Sequence, residues 1–136
     1  MTPEQKALVR QTWAEVVPVA DTTAALFYQR LFTIDPPARR LFGSKDMRAQ
    51  GNLFMQMLAL FVRSPDEPAM TQAVASLGRR HTGYGVLPSD YDEVGRALLW
   101  AVEQVLGEGF TPAVREAWTE AYRALATTMQ QGAAAA

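Results

Sequence analysis

The sequence predicts an all-α domain, and three observations carry that reading. Apolar residues recur three and four apart, as in Leu98, Leu99, Val102, Val105 and Leu106, the spacing that gives a helix one buried face. Runs of strict apolar–polar alternation, the mark of a half-buried strand, do not occur. The eight prolines read as boundaries between the apolar runs, because proline is tolerated in a first helical turn but costs about 3 kcal/mol in a helix interior.

The elements follow in order. Thr2-Pro3, with Gln5 three residues after the threonine, is a capping box with proline at the first helical position, and starts a helix over about 3–17. Pro18 separates it from a second helix over 19–34, and Pro36-Pro37 opens a short turn at 36–41. Helices are expected at 47–63, at 67–81 between Pro65 and a glycine-broken loop, at 89–107 behind Ser89 and Asp92, and at 112–131 behind Thr111-Pro112. Residues 42–46 and 82–88 are the main interior loops, and the tail GAAAA (132–136) is expected to fray. A chain of 136 residues has the length of one domain with a substantial core, placed here at 1–131.

Composition narrows the function classes. A formal net charge of -1 supplies no basic excess to attract phosphates, which argues against a nucleic-acid partner. The absence of cysteine removes disulfides, thiolate nucleophiles and thiolate-bound metals. The N-terminal run MTPEQKALVRQTW carries charges where a signal peptide needs apolar residues, and no apolar stretch has the length of a membrane span. A cytoplasmic domain, monomeric or weakly self-associating, with no membrane partner, is the expectation.

Four stretches carry side chains that chemistry can use. In the second helix Ala24 and Tyr28 share a face beside Leu31 and Phe32. In the helix over 47–63, Gln50, Phe54, Met57 and Phe61 form a stripe with its polar member at the N-terminal end. In the next helix Val74, Leu77 and His81 follow one face, and His81, the only histidine, sits in the last turn. Phe42 is an aromatic in a loop of small and polar residues. Taken singly each has an ordinary reading. An apolar stripe is core, a last-turn histidine complements the helix dipole, and a tyrosine in such a stripe packs its ring and donates its hydroxyl. One histidine and no cysteine exclude the usual structural zinc site, which takes several such ligands. A single histidine can still hold a metal whose other ligands come from a cofactor, and haem iron, with four porphyrin nitrogens, is the leading case.

Taken together, these stretches resemble the globin family, and more narrowly bacterial single-domain globins related to flavohaemoglobins and to neuroglobin-like bacterial globins. The segments that carry the resemblance are LFYQRLF (26–32), DPPARRLF (35–42), AQGNLFMQML (49–58), LGRRHTGYGV (77–86), SDYDEVGRALL (89–99) and EAWTEAY (116–122), in family order. The resemblance implies the globin fold, a three-over-three helical sandwich enclosing haem b (iron protoporphyrin IX). It makes His81 the proximal iron ligand, with the carbonyl of Leu77, one turn earlier, as acceptor for its other ring nitrogen. Phe42 packs against the porphyrin in that scheme, Phe54 lies over it, and Val86 joins the cofactor contacts. Tyr28 and Gln50 face the distal side, where either can donate a hydrogen bond to bound dioxygen. Tyr91, ten residues after the histidine, matches a tyrosine that tightens the proximal hold. The glutamate that accompanies it in flavohaemoglobins is expected fifteen residues after Trp118, where this chain has Ala133. That departure argues against a strongly polarised imidazole. Gly51 is expected to let its helix cross the second closely at Ala24. Arg79, Arg80 and Lys45 are candidates for pairing with haem propionates, and Tyr84 for the pocket rim.

The implied function is reversible binding of dioxygen, with nitric oxide and carbon monoxide as further ligands. Conversion of nitric oxide to nitrate also follows from the likeness to flavohaemoglobins. The length read here leaves no room for their reductase domain, so that turnover is expected to draw on an external reductase. The alternatives are a gas- or redox-sensing globin signalling to a partner protein, and a globin-fold interaction domain that has lost its haem. With one histidine, two cannot both bind the iron, so a mainly five-coordinate ferrous state is expected.

Overall fold

A computed structural model describes residues 1–43, 45–83 and 85–134, without the side chains of residues 133 and 134. Six α-helices occur among them: α1 Pro3–Val16, α2 Ala20–Ile34, α3 Met47–Arg63, α4 Pro68–Gly83, α5 Pro88–Leu106 and α6 Pro112–Ala134. Short 3₁₀ turns fill Val17–Val19, Pro36–Leu41 and Gly107–Gly109. The predicted elements stand in the predicted order, and α6 runs three residues past its expected end at 131.

The caps are side-chain chemistry. The Thr2 hydroxyl accepts from the Gln5 N–H at 3.1 Å while the Gln5 side chain accepts from the Thr2 N–H at 2.9 Å, so two of the first-turn donors that a helix leaves unpaired are satisfied reciprocally. The Thr111 hydroxyl accepts from the Val114 N–H in the same way at the start of α6. Asp46, which the sequence reading did not single out, caps α3 through the N–H groups of Arg48 and Ala49. At α5 the expected pair Ser89 and Asp92 is replaced by Leu87 and Asp90: the Asp90 carboxylate accepts from the Leu87 N–H at 2.8 Å. Pro88 at the first helical position moves the boundary back by one residue. Gly107, at φ 55°, ends α5 in the left-handed region that a side chain disfavours.

Helices α1, α3 and α4 lie over α2, α5 and α6 as a three-over-three sandwich, with α2 packed on α5 and α3, and α6 on α4, α1 and α5. Helix α4 is the exception in this network, since α6 is its one substantial neighbour. The core joins Val9, Trp13 and Val16 of α1, Leu58 and Val62 of α3, Leu98 and Val102 of α5, and Trp118 of α6. Burial of such side chains contributes about 1.5–3 kcal/mol each. A long-range polar tie within it is the indole N–H of Trp118, which donates to the Thr12 hydroxyl at 2.8 Å. That hydroxyl in turn donates to the Leu8 carbonyl at 2.7 Å.

Thr12→Val keeps the shape but removes the acceptor, which leaves a buried donor unpaired. The expected cost is about 1–3 kcal/mol, read as a lower denaturation midpoint at unchanged slope in urea. A midpoint equal to that of the wild type rules this bond out as a contributor.

Candidate functional site

Between the two layers lies a cavity enclosing about 800 Å³ of space between atoms, its mouth included. It is walled mainly by apolar side chains, among them Phe27, Leu31, Leu41, Val86, Val94 and Leu125, the kind of lining that favours a largely apolar ligand. Few polar groups reach it, and each sits where a particular helix places it.

His81 stands on the cavity wall in the last turn of α4, half-buried. Its Nδ1 lies 2.7 Å from the carbonyl oxygen of Leu77. A carbonyl only accepts, so Nδ1 carries the proton, and in the neutral ring Nε2 keeps its lone pair. The side chain of Leu77 is not among the lining residues, so its part in the site is played by its carbonyl. Among the described residues no group of three or more His, Cys, Asp and Glu side chains is placed to hold a metal ion.

On the same cavity, α2 supplies Tyr28, 8% exposed, and α3 supplies Gln50 and Phe54. Burial pushes the Tyr28 hydroxyl up to about 12, partly offset by a hydrogen bond with the Gln50 side chain. An aromatic cluster fixes the ring. Phe42 meets Tyr28 edge-on at 5.3 Å between centroids, Phe27 at 4.8 Å, and Phe27 stacks on Phe54 at 4.5 Å. The crossing of α2 and α3 that brings these residues together is close: a Cβ added at Gly51 would lie 3.0 Å from that of Ala24 and 4.0 Å from the Tyr28 ring.

Helix α5 adds Tyr91, 8% exposed, whose hydroxyl is buried with no hydrogen-bond partner among the described residues. Burial raises its pKa. Its backbone carbonyl accepts from the Tyr122 hydroxyl, whose pKa is pushed up by burial and then by the nearby Tyr91 and Asp92. Tyr122 packs so tightly on α5 that a Cβ at Gly95 would come within 2.7 Å of its ring.

Seven of the eight residues singled out from the sequence (Tyr28, Phe42, Gln50, Phe54, His81, Val86 and Tyr91) line this one cavity. Arg79, Arg80 and Lys45 are exposed and do not line it; Tyr84 and the side chain of Ala133 lie outside the described residues. The sequence reading missed Asp35 and Asp90, two carboxyl groups on the cavity wall joined by a hydrogen bond. It also missed Met129 and Tyr122 of α6. The position of Asp90 in the first turn of α5 was the available signal, since an acid there serves as a cap, but its pairing with Asp35 spans the fold.

The family model described as Globin matches residues 25–129. The chain is similar to the flavohemoproteins of Deinococcus radiodurans and Xylella fastidiosa, each 30% identical over 132 residues, or 95% of this chain and 33% of theirs. The flavohemoprotein of Vibrio cholerae is 28% identical over 129 residues, 93% of this chain and 33% of its own. The chain thus spans about a third of the length of the curated relatives it matches.

The carboxyl pair makes stability depend on pH. Asp35 is held above its ordinary value of 3.8 by burial, by the hydrogen bond and charge of Asp90, and by the charge of Glu93, with Arg40 opposing. Between the ordinary and the raised value the folded protein binds more protons than the unfolded chain, so stability falls as pH rises through that window and levels off above it. Asp35→Asn keeps a donor toward Asp90 and removes the titration. Its thermal midpoint is expected above that of the wild type at pH 7, with the two converging below the ordinary carboxylate range. A difference independent of pH excludes a shared proton.

Proposed function

The chain belongs to the globin family, and on that premise we propose that it binds haem b in this cavity, with His81 as the axial protein ligand, and takes up dioxygen, carbon monoxide and nitric oxide reversibly. The observation that carries the reading is the pinned imidazole. Its proton is committed to the Leu77 carbonyl, and its lone-pair nitrogen belongs to a ring on the wall of a largely apolar cavity. The donor set fits a metal whose other ligands arrive with a cofactor, because one imidazole cannot hold a bare divalent ion. The buried, unpaired hydroxyl of Tyr91 fits as well: a cavity built for apolar packing alone has no reason to keep a phenol there.

Haem, when bound, supplies an iron that binds diatomic gases reversibly and exchanges single electrons. The chain supplies the rest. Phe42, Phe54 and Val86 offer faces for a planar macrocycle and keep water away from it. Leu77 fixes the tautomer and orientation of the His81 ring, so the axial nitrogen is presented without a proton to displace. On the opposite wall the Tyr28 hydroxyl remains a neutral phenol throughout the physiological range, and with Gln50 behind its oxygen it is a donor for a ligand that acquires negative charge. Dioxygen acquires more than carbon monoxide does, so this pair favours dioxygen.

The similarity to flavohemoproteins supports a finer reading: nitric oxide and dioxygen combine at the site to give nitrate. One electron enters for each nitrate formed, from a reductase outside this globin unit. Among the described residues no helix is long and apolar enough to cross a membrane, and we place the reaction in the cytoplasm.

Absorption spectra of the purified ferric, ferrous and carbon monoxide forms test the reading. A strong Soret band that moves on adding the gas is expected, and His81→Ala should lose stable haem. A protein that takes up no added haem, or an alanine variant that keeps it normally, defeats the assignment. Tyr28→Phe removes one hydrogen bond of about 0.5–1.5 kcal/mol, so stopped-flow dioxygen release should quicken by roughly two- to tenfold. An unchanged rate reduces Tyr28 to packing.

A further inference from the structure

Helix α4 carries His81, yet it touches the rest of the fold chiefly through α6. The seat of α4 on α6 is thus what places the imidazole relative to the opposite wall. That seat is made by two missing side chains. A Cβ at Gly78 would lie 1.9 Å from the carbonyl oxygen of Met129, where ordinary contact begins at 3.4 Å. A Cβ at Gly132 would lie 2.3 Å from the carbonyl oxygen of Ala75 and 2.6 Å from its Cα. Each helix gives up a side chain where the other presents backbone, and backbone, unlike a side-chain tip, cannot swing aside.

The two approaches lie one turn apart on α4, at Ala75 and Gly78, and His81 follows one turn later on the same helix. On α6 the counterpart Met129 is buried and is itself part of the cavity wall. The hydrogen bonds of His81 to Leu77 and of Thr82 to Gly78 run within α4. They orient the ring on its helix and do not set how far that helix stands from α6. Gly83, on the same helix, has nothing within 4 Å of an added Cβ, so the closeness is local to the crossing and not general to α4.

We propose that Gly78 and Gly132 are positioning residues for the proximal ligand: their contacts with Met129 and Ala75 set the depth of His81 in the cavity, and so the tension on its bond to the cofactor. This rests on the haem reading above. A methyl at Gly78 must lift α4 from α6 by more than an ångström to reach ordinary contact. The imidazole is carried with the helix and its internal hydrogen bonds are preserved. His81, which would hold the cofactor's iron, would then meet it from a shifted depth, and the strain on that bond would oppose gas binding.

The test is resonance Raman spectroscopy of the ferrous, haem-loaded Gly78→Ala protein, with carbon monoxide affinity and thermal midpoint measured alongside, and Gly83→Ala as the control for helix propensity. The expected result is a lowered iron–histidine stretching band and an affinity reduced about tenfold, equal to 1.4 kcal/mol, with neither change in the control. A purely structural role would lower the thermal midpoint and leave the band in place, and that outcome overturns the proposal. Gly132→Ala, two residues from the end of α6 where the helix can yield, is expected to move the band in the same direction by less. If neither glycine variant gives folded, haem-loaded protein while Gly83→Ala does, the crossing serves folding alone and the positioning role is withdrawn. Absence of haem from the wild type removes the functional reading itself, whereas a haem-loaded wild type with insensitive variants removes only this inference.

Discussion

Met129 and Gly78 stand so close that the carbonyl oxygen of one occupies the space of a methyl on the other, and the remaining architecture is arranged around that approach. A sandwich of helices that keeps a largely apolar cavity between its layers must resist closing on it, because apolar surfaces in water gain free energy by meeting. Resistance comes from contacts that cannot compress. At the α4–α6 crossing backbone meets backbone, and at the α2–α3 crossing Gly51 meets Ala24. Each crossing is fixed by hard contact on one side of the cavity, so the walls are held at a set separation. The aromatic cluster of Phe27, Tyr28, Phe42 and Phe54 stiffens the far wall. Larger residues at the glycines would not add packing but would part the helices.

Within that frame the polar groups divide by wall. The α4 side holds an imidazole whose protonated nitrogen is spent on a carbonyl. The α2–α3 side holds a phenol kept neutral by burial. The two therefore present opposite characters to whatever lies between them, a lone pair from one side and a proton from the other. On the proposed function, that combination would suit a metal with one open position whose ligand becomes partly anionic. The carboxyl pair Asp35–Asp90 belongs to a third edge. Asp90 is 6% exposed and already commits one oxygen to capping α5, and its nearby charge is among the causes that raise the pKa of Asp35.

Much of this was legible in the sequence because it is carried by short-range regularities. Helix order followed from apolar spacing and proline positions, and the capping box of Thr2 and Gln5 and the cap at Thr111 from residues three apart. The cavity set of Tyr28, Phe42, Gln50, Phe54 and His81 followed from the resemblance of their segments to the globin family. What escaped reading depends on distances the chain closes only by folding. Asp35 and Asp90 are far apart in the chain, and neither looks unusual in its own segment. Gly78 inside a helical run reads as a propensity cost of about 1 kcal/mol relative to alanine, and nothing near it announces the backbone of Met129. Gly51 was legible because its partner Ala24 shares a face with Tyr28, a residue already singled out. The α5 cap was misplaced by two residues because Pro88 can occupy the first helical position while Ser89 offers an equally good sequence signal.

Helix α4 shows how placement and chemistry can be assigned to different residues. His81, Leu77 and the turn between them make a self-contained unit, so the tautomer and ring orientation would survive transplantation to another helix. Position does not survive in that way, since it is a relation between α4 and α6 and is written in residues without side chains. The same separation holds opposite, where Gln50 and Tyr28 form the donor pair and Gly51 with Ala24 sets their approach. On the proposed function, reactivity would rest on the side chains that line the cavity, and its tuning on the glycines at the two helix crossings.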